Sequence, residues 1–158
     1  MIEVSSVAIL RVLARHEVRF LVVGGVNAVL LGAPIMTFDL DIVHDRAPEN
    51  IELLLLALKE LEAKYRLRPE LTPGESHLSG PGHQLLNTKF GMLDVLGKIG
   101  TGRGYEELLP FARSIEIGAG AVVQILSAEA LLEEKLVMRR TKDLTSIAWL
   151  QEIIRRQG

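Results

Sequence analysis

The 158-residue chain predicts an α+β fold: a mixed β-sheet flanked by helices, with further helices at the C-terminal end. Three observations carry this reading. Apolar residues recur at helical spacing in residues 3–15 and 49–64. Short apolar runs such as Phe20-Leu21-Val22-Val23 stand between them, and glycine or proline marks most changes of pattern. The 48% hydrophobic content suits a globular chain, and one Trp, two Tyr and four Phe leave the core mainly to Leu, Val, Ile and Ala. We expect a single domain over residues 1–158, with a core at about 18–126 and a helical part at about 127–158.

In order, residues 3–15 predict an amphipathic helix, with Val4, Val7, Ala8 and Leu10 set against Glu3, Arg11 and Arg15. Phe20 to Val23 predicts a buried strand that enters a turn at Gly24-Gly25. Asn27 to Leu31 predicts a short helix stopped by Gly32 and Pro34, and Thr37 to Val43 a second strand. Pro48 opens a helix through Lys64, with Leu53, Leu54, Ala57, Leu58 and Leu61 as its buried stripe. Tyr65 to Arg68 reads as a short strand and residues 69–82 as a loop. Leu85 to Lys89 and Met92 to Leu96 read as strands around Gly91. The glycine-rich residues 97–104 read as a mobile segment, followed by one helical turn from Tyr105 to Leu109. Ser114 to Ile117 and Ala121 to Leu126 form a hairpin at Gly118 and Gly120. Ser127 caps a helix to about Arg140, with Glu129 in its first turn. Thr141 caps the last helix, on which Leu144, Ile147, Ala148 and Ile154 share a face.

Cysteine is absent, which excludes disulfides, thiol catalysis and thiolate zinc sites and suits a cytoplasmic location. The formal net charge is −2 and the pI about 6.1, so no global positive field steers the chain to nucleic acid. The residues up to Arg15 lack the pattern of a signal peptide. Residues 20–38 carry no charge, near the ~20 residues of a membrane span. Their glycines, Asn27 and Pro34, and the run into Asp39 and Asp41, predict strand, turn and short helix instead, and hence no membrane.

The chemistry concentrates at Asp39 and Asp41. Two apart in a strand, they leave the same face, with alpha carbons about 6.6 Å apart, while Phe38, Leu40 and Ile42 anchor the other face. Such carboxylates can converge on two metal ions ~3.5–4 Å apart, the arrangement for in-line phosphoryl displacement. Gly24-Gly25 lets backbone amides approach a phosphate closely; taken alone it is an ordinary tight turn. Asp94, one acid in the apolar strand Met92 to Leu96, is the candidate third carboxylate. The alternative is a strand-edge residue that caps a turn or pairs with Lys89. His16, His44, His77 and His83 lack paired metal-ligand spacing. His44 reads as an exposed strand end, and His77 and His83 as surface residues. Ser76 and Ser79 have no partnered base, and Trp149 reads as a core or interface anchor.

The block from Phe20 through Gly24-Gly25 to Asp39-Leu40-Asp41 resembles the signature of the nucleotidyltransferase superfamily: apolar strand, glycine turn, short helix, then an Asp-x-Asp strand. Leu93-Asp94-Val95-Leu96, Ser127-Ala-Glu-Ala-Leu131 and the stretch from Lys135 through Arg140-Thr-Lys142-Asp143 continue the similarity over most of residues 18–150. It is nearest to small bacterial proteins related to nucleotidyltransferase toxins of abortive-infection and toxin–antitoxin systems, where a Thr stands as Thr37 does here. The resemblance implies Mg2+ or Mn2+ at Asp39, Asp41 and Asp94, with Asp94 also activating an incoming hydroxyl. It implies nucleotide contacts from Gly24, Gly25 and Thr37, and Lys135, Arg140 and Lys142 near the triphosphate or acceptor. The implied partners are an NTP and a hydroxyl acceptor (an RNA end, a protein side chain or a small molecule), with self-association or an antitoxin partner as further expectations.

Three positions depart from the pattern: Ile35 replaces a basic residue, Leu31 a His and Ser146 an acid. Two alternatives therefore stand beside the transferase reading. One is a degenerate member that binds nucleotide or metal without transfer. The other is a protein–protein interaction or antitoxin-like module using the apolar helices.

Overall fold

The structure, a computed structural model, describes residues 2–118 and 120–158. Among them, Phe20–Val23 (β1), Leu40–His44 (β2), Lys64–Tyr65 (β3), His83–Thr88 (β4), Gly91–Leu96 (β5), Ala112–Glu116 (β6) and Val122–Leu126 (β7) form one sheet. Its order is β3-β4-β5-β2-β1-β7-β6. The β2–β5 and β1–β7 pairs are parallel and the others antiparallel. The sheet is mixed and the fold α+β, as the residue patterns predict.

Strand alternation separates two cores. On one face Phe20, Val22, Ile42, Val95 and Ile125 meet helices Val4–Arg15 (α1) and Pro48–Glu60 (α3). On the other, Leu21, Val43 and Leu126 meet the C-terminal helices through Leu131 and Leu150. Helix α2, Gly24–Leu30, lies between them: Val26 enters the first core and Ala28 the second. Its fully buried Asn27 donates to the Leu126 carbonyl (3.1 Å) and accepts from the Leu126 amide (3.0 Å), which pins α2 to β7. Two short helices follow, Glu75–Ser79 (α4) and Tyr105–Leu108 (α5), then Ala128–Met138 (α6) and Leu144–Gln157 (α7). The Ser127 side chain accepts from the Ala130 amide and caps α6.

Several elements depart from the sequence reading. Helix α2 starts at Gly24, not Asn27. Helix α3 stops at Glu60 because Glu62 takes a left-handed φ of 54°. Residues 69–82 contain α4 rather than loop alone. Val4 is exposed, and the inward stripe of α1 is instead Ile9, Leu10 and Leu13. Thr141 opens a 3-10 turn, and α7 begins only at Leu144, itself exposed. The hairpin turn read at Gly118 and Gly120 includes Ala119, outside the described residues.

His44 is the sharpest reversal. It is 1% exposed, with Nδ1 3.1 Å from the Leu96 carbonyl and Nε2 2.7 Å from that of Leu78. Burial pushes its pKa down, against the pull of those two carbonyls. The ring joins the end of β2 to β5 and α4. No helix among the described residues is long and apolar enough to cross a membrane.

Candidate active site

Strand pairing builds the acidic centre. In the parallel β2–β5 register Asp41 stands beside Asp94, so both leave the sheet on one face. Adjacent strands lie about 4.8 Å apart, closer than the 6.6 Å of an i, i+2 pair. The nearest acid to Asp41 is thus Asp94, across the sheet. Burial, then the charge of Asp94, then the charge of Asp39, push Asp41 up to about 7, opposed by Lys142. Asp39 is not in the strand: β2 begins at Leu40, and residues 37–39 are its lead-in. Phe38 correspondingly points outward, 61% exposed, while Leu40 and Ile42 are fully buried.

All three acids line one cleft of about 440 Å3 on the sheet face covered by α6 and α7. Among the described residues, no three His, Asp or Glu side chains gather closely enough to hold a metal ion as they stand. The close pair is Asp41–Asp94, with Asp39 on the wall of the same cleft.

The glycines are needed for close approach. A β-carbon on Gly24, whose φ is +69°, would collide with the Asp41 carboxylate. One on Gly25 would lie 2.6 Å from Thr37 Oγ1. The turn therefore lets Asp41 and Thr37 lie against the start of α2. Gly25→Ala should cost about 1–3 kcal/mol, the usual range for overpacking. Thr37→Ala in the same chain should recover at least half of that in denaturant unfolding. Absence of recovery would show that Gly25 is required for another reason.

The three cations have different environments. Lys135 Nζ lies 3.1 Å from Asp143 Oδ1 in a pair whose side chains are 6% and 5% exposed. Arg140 Nε donates to the other oxygen of Asp143 at 2.7 Å. Burial raises the Asp143 pKa, but hydrogen bonds from Arg140 and Lys135 outweigh it and hold the carboxyl below its ordinary value. Lys142 is exposed on the cleft wall.

Other residues at the cleft escape a linear reading. Arg66, not Lys89, is the partner of Asp94: its Nη2 donates to Asp94 Oδ1 at 2.7 Å and to the Leu86 carbonyl at 3.0 Å. Lys89 instead lies 4.0 Å from Glu62. Buried Glu134 accepts from the Thr101 amide (3.0 Å) and from Arg103 (2.8 Å), tying down the glycine-rich residues 97–104. His83 is exposed, as read, but also lines the cleft. No sequence signal singles out Arg66 among the chain's arginines, because its partner is 28 positions away. Of the three departures, Ile35 and Ser146 line the cleft, whereas Leu31 packs against both cores.

No protein-family model and no curated protein sequence matches this chain. Solved structures do. A candidate nucleotidyltransferase from Thermotoga maritima, TM1012, matches with a TM-score of 0.61 at 22% identity over 96% of each chain. The antibiotic-resistance factor ANT(2'')-Ia gives 0.62 at 16% identity, covering 99% of this chain and 86% of its own. The lincosamide antibiotic adenylyltransferase LnuA, solved with lincomycin bound, gives 0.63 at 16% identity over 97% of this chain and 98% of its own. The mixed sheet, its flanking helices and these three likenesses together give the chain the nucleotidyltransferase fold.

Proposed function

We propose that the protein transfers a nucleoside monophosphate from an NTP to a hydroxyl acceptor, releasing pyrophosphate. The observation that carries this is the in-register Asp41–Asp94 pair, joined by Asp39 in one cleft beside Gly24 and Gly25. Asp39, Asp41 and Asp94 offer only oxygen donors, which suits a hard cation such as Mg2+ or Mn2+. The burial of Asp41 against another acid is a cost such a cation offsets. When bound, the metal supplies neutralisation of the triphosphate and of charge developing on it.

The chain's own groups position and move a proton. Gly24 and Gly25 line the cleft with Asp41 and Thr37 packed against them, and their backbone amides are the groups that would meet phosphate oxygens. Thr37 offers a hydroxyl donor there, and Lys142 an exposed ammonium. The acceptor oxygen attacks the α-phosphorus, the bond to the bridging β-phosphate oxygen breaks, and pyrophosphate leaves. The acceptor's hydroxyl proton passes to the Asp94 carboxylate. Positioning and electrostatics supply most of the acceleration in such transfers.

A second reading, nucleotide binding without turnover, draws support from the Asp143 clamp on Lys135 and Arg140 and from Ile35 in the cleft wall. One assay separates the two. Wild type, Asp39→Asn and Ile35→Arg are incubated with Mg2+, each labelled NTP and a pool of cellular acceptors. Transfer by wild type that falls ~10²-fold or more in Asp39→Asn is the expected outcome. Labelling by Ile35→Arg alone would establish the binding reading, and no labelling by any variant would end the transferase reading.

A further inference from the structure

The guanidinium of Arg66 is paired with one carboxylate oxygen of Asp94, Oδ1, at 2.7 Å. Arg66 follows β3 on the sheet edge, and its backbone amide donates to the Leu85 carbonyl at 2.9 Å. From there the side chain reaches across β4 on the cleft face. Its Nη2 is held between Asp94 Oδ1 and the Leu86 carbonyl, and its Nε lies 3.4 Å from Asn87 Oδ1. The Arg66 and Asp94 side chains are only 22% and 15% exposed. A guanidinium always carries its charge, and a fork held on two strands is preorganised rather than drifting.

The charge balance is specific. Asp39, Asp41 and Asp94 carry three negative charges when ionised, and Arg66 returns one, leaving two. One divalent cation neutralises that remainder. A second would stand beside a fixed positive charge in a partly buried site, where repulsion between like charges is weakly screened. Lys142, exposed on the cleft wall, adds further positive charge.

We propose that Arg66 is a built-in counter-charge for Asp94, so that the acidic centre takes a single divalent cation and Arg66 stands in for a second. The proposal rests on the metal reading under the proposed function. It adds that the number of ions is set by a residue outside the acidic triad, contributed from the sheet edge.

Counting ions tests it without any activity assay. Purified protein at pH 8, where Asp41 is ionised, is titrated with MnCl2 alone, and free Mn2+ is read from its electron paramagnetic resonance signal. Wild type should hold one Mn2+ per chain. Arg66→Gln, its fold checked by circular dichroism, should hold two, and Arg66→Lys, which keeps a point charge, should return to one. Two ions in wild type would overturn the proposal while leaving the transferase reading intact. One ion in a folded Arg66→Gln would overturn the role of Arg66. No Mn2+ bound by any variant would remove the metal reading and this proposal together. Should Arg66→Gln fail to fold, Arg66→Met takes its place in the count with the same expected result, and two ions in wild type still overturn the proposal.

Discussion

Asp143→Ala should destabilise the protein by about 3–5 kcal/mol, the range for removing one partner of a buried ion pair. The Lys135 ammonium, 6% exposed in its side chain, would lose its 3.1 Å partner and be left as an uncompensated charge between α6 and α7. Arg140 adds little to this cost because it is 44% exposed and regains water. Replacing both buried partners, Lys135→Met with Asp143→Leu, should recover most of the loss, since an apolar pair of similar volume avoids desolvating two charges. Urea unfolding at pH 7 measures each variant. A loss under about 1 kcal/mol for Asp143→Ala would mean that Lys135 swings into the water of the cleft. Lys135 would then be a ready phosphate ligand rather than a brace between helices.

Asp41→Asn should act in the opposite direction when no metal is present. The folded state holds Asp41 protonated up to about 7, against 3.8 for an ordinary aspartate, because the carboxyl is buried beside Asp94. Between those values the folded chain binds more protons than the unfolded one, so this residue costs stability as pH rises through that window. At ~1.4 kcal/mol per unit, with discount for the part open to solvent, the cost above the window is about 2–4 kcal/mol. Asn carries no charge and can donate to Asp94. In a metal chelator the variant should therefore exceed wild type by about 2–4 kcal/mol at pH 8 and by less than ~1 kcal/mol at pH 4. Adding MnCl2 should close most of that gap, because a ligand at a hundredfold excess over Kd stabilises the folded wild type by about 2.7 kcal/mol and the variant has lost a ligand. Equal stabilities at pH 8 would show that neighbouring cations already match the Asp41 charge.

Local pattern made much of this legible in advance. The Gly24-Gly25 turn, the Asp39-Leu40-Asp41 block, the Ser127 cap and the buried face of α3 each depend on residues within a few positions of one another. Spacing and side-chain type alone therefore specify them. The third acid was legible for a related reason: a lone carboxylate in the apolar run from Met92 to Leu96 is costly without a partner. Its partners were not. Asp94 meets Asp41 through a parallel register and Arg66 through a contact spanning 28 positions. A hydrophobicity pattern carries no information about which strand lies next to which.

The sequence by itself determined the alternation of helices and strands, the acidic and glycine residues that come to line the cleft, and the absence of thiol chemistry. Only the tertiary structure decided how those groups meet. It moved Asp39 out of the strand, buried His44 between two carbonyls, and clamped Lys135 and Arg140 onto Asp143. The physical reason is common to these cases. The charge state and availability of a polar side chain depend on how much water its neighbours exclude and which charges they bring. Those neighbours are selected by strand order and helix packing across the whole chain.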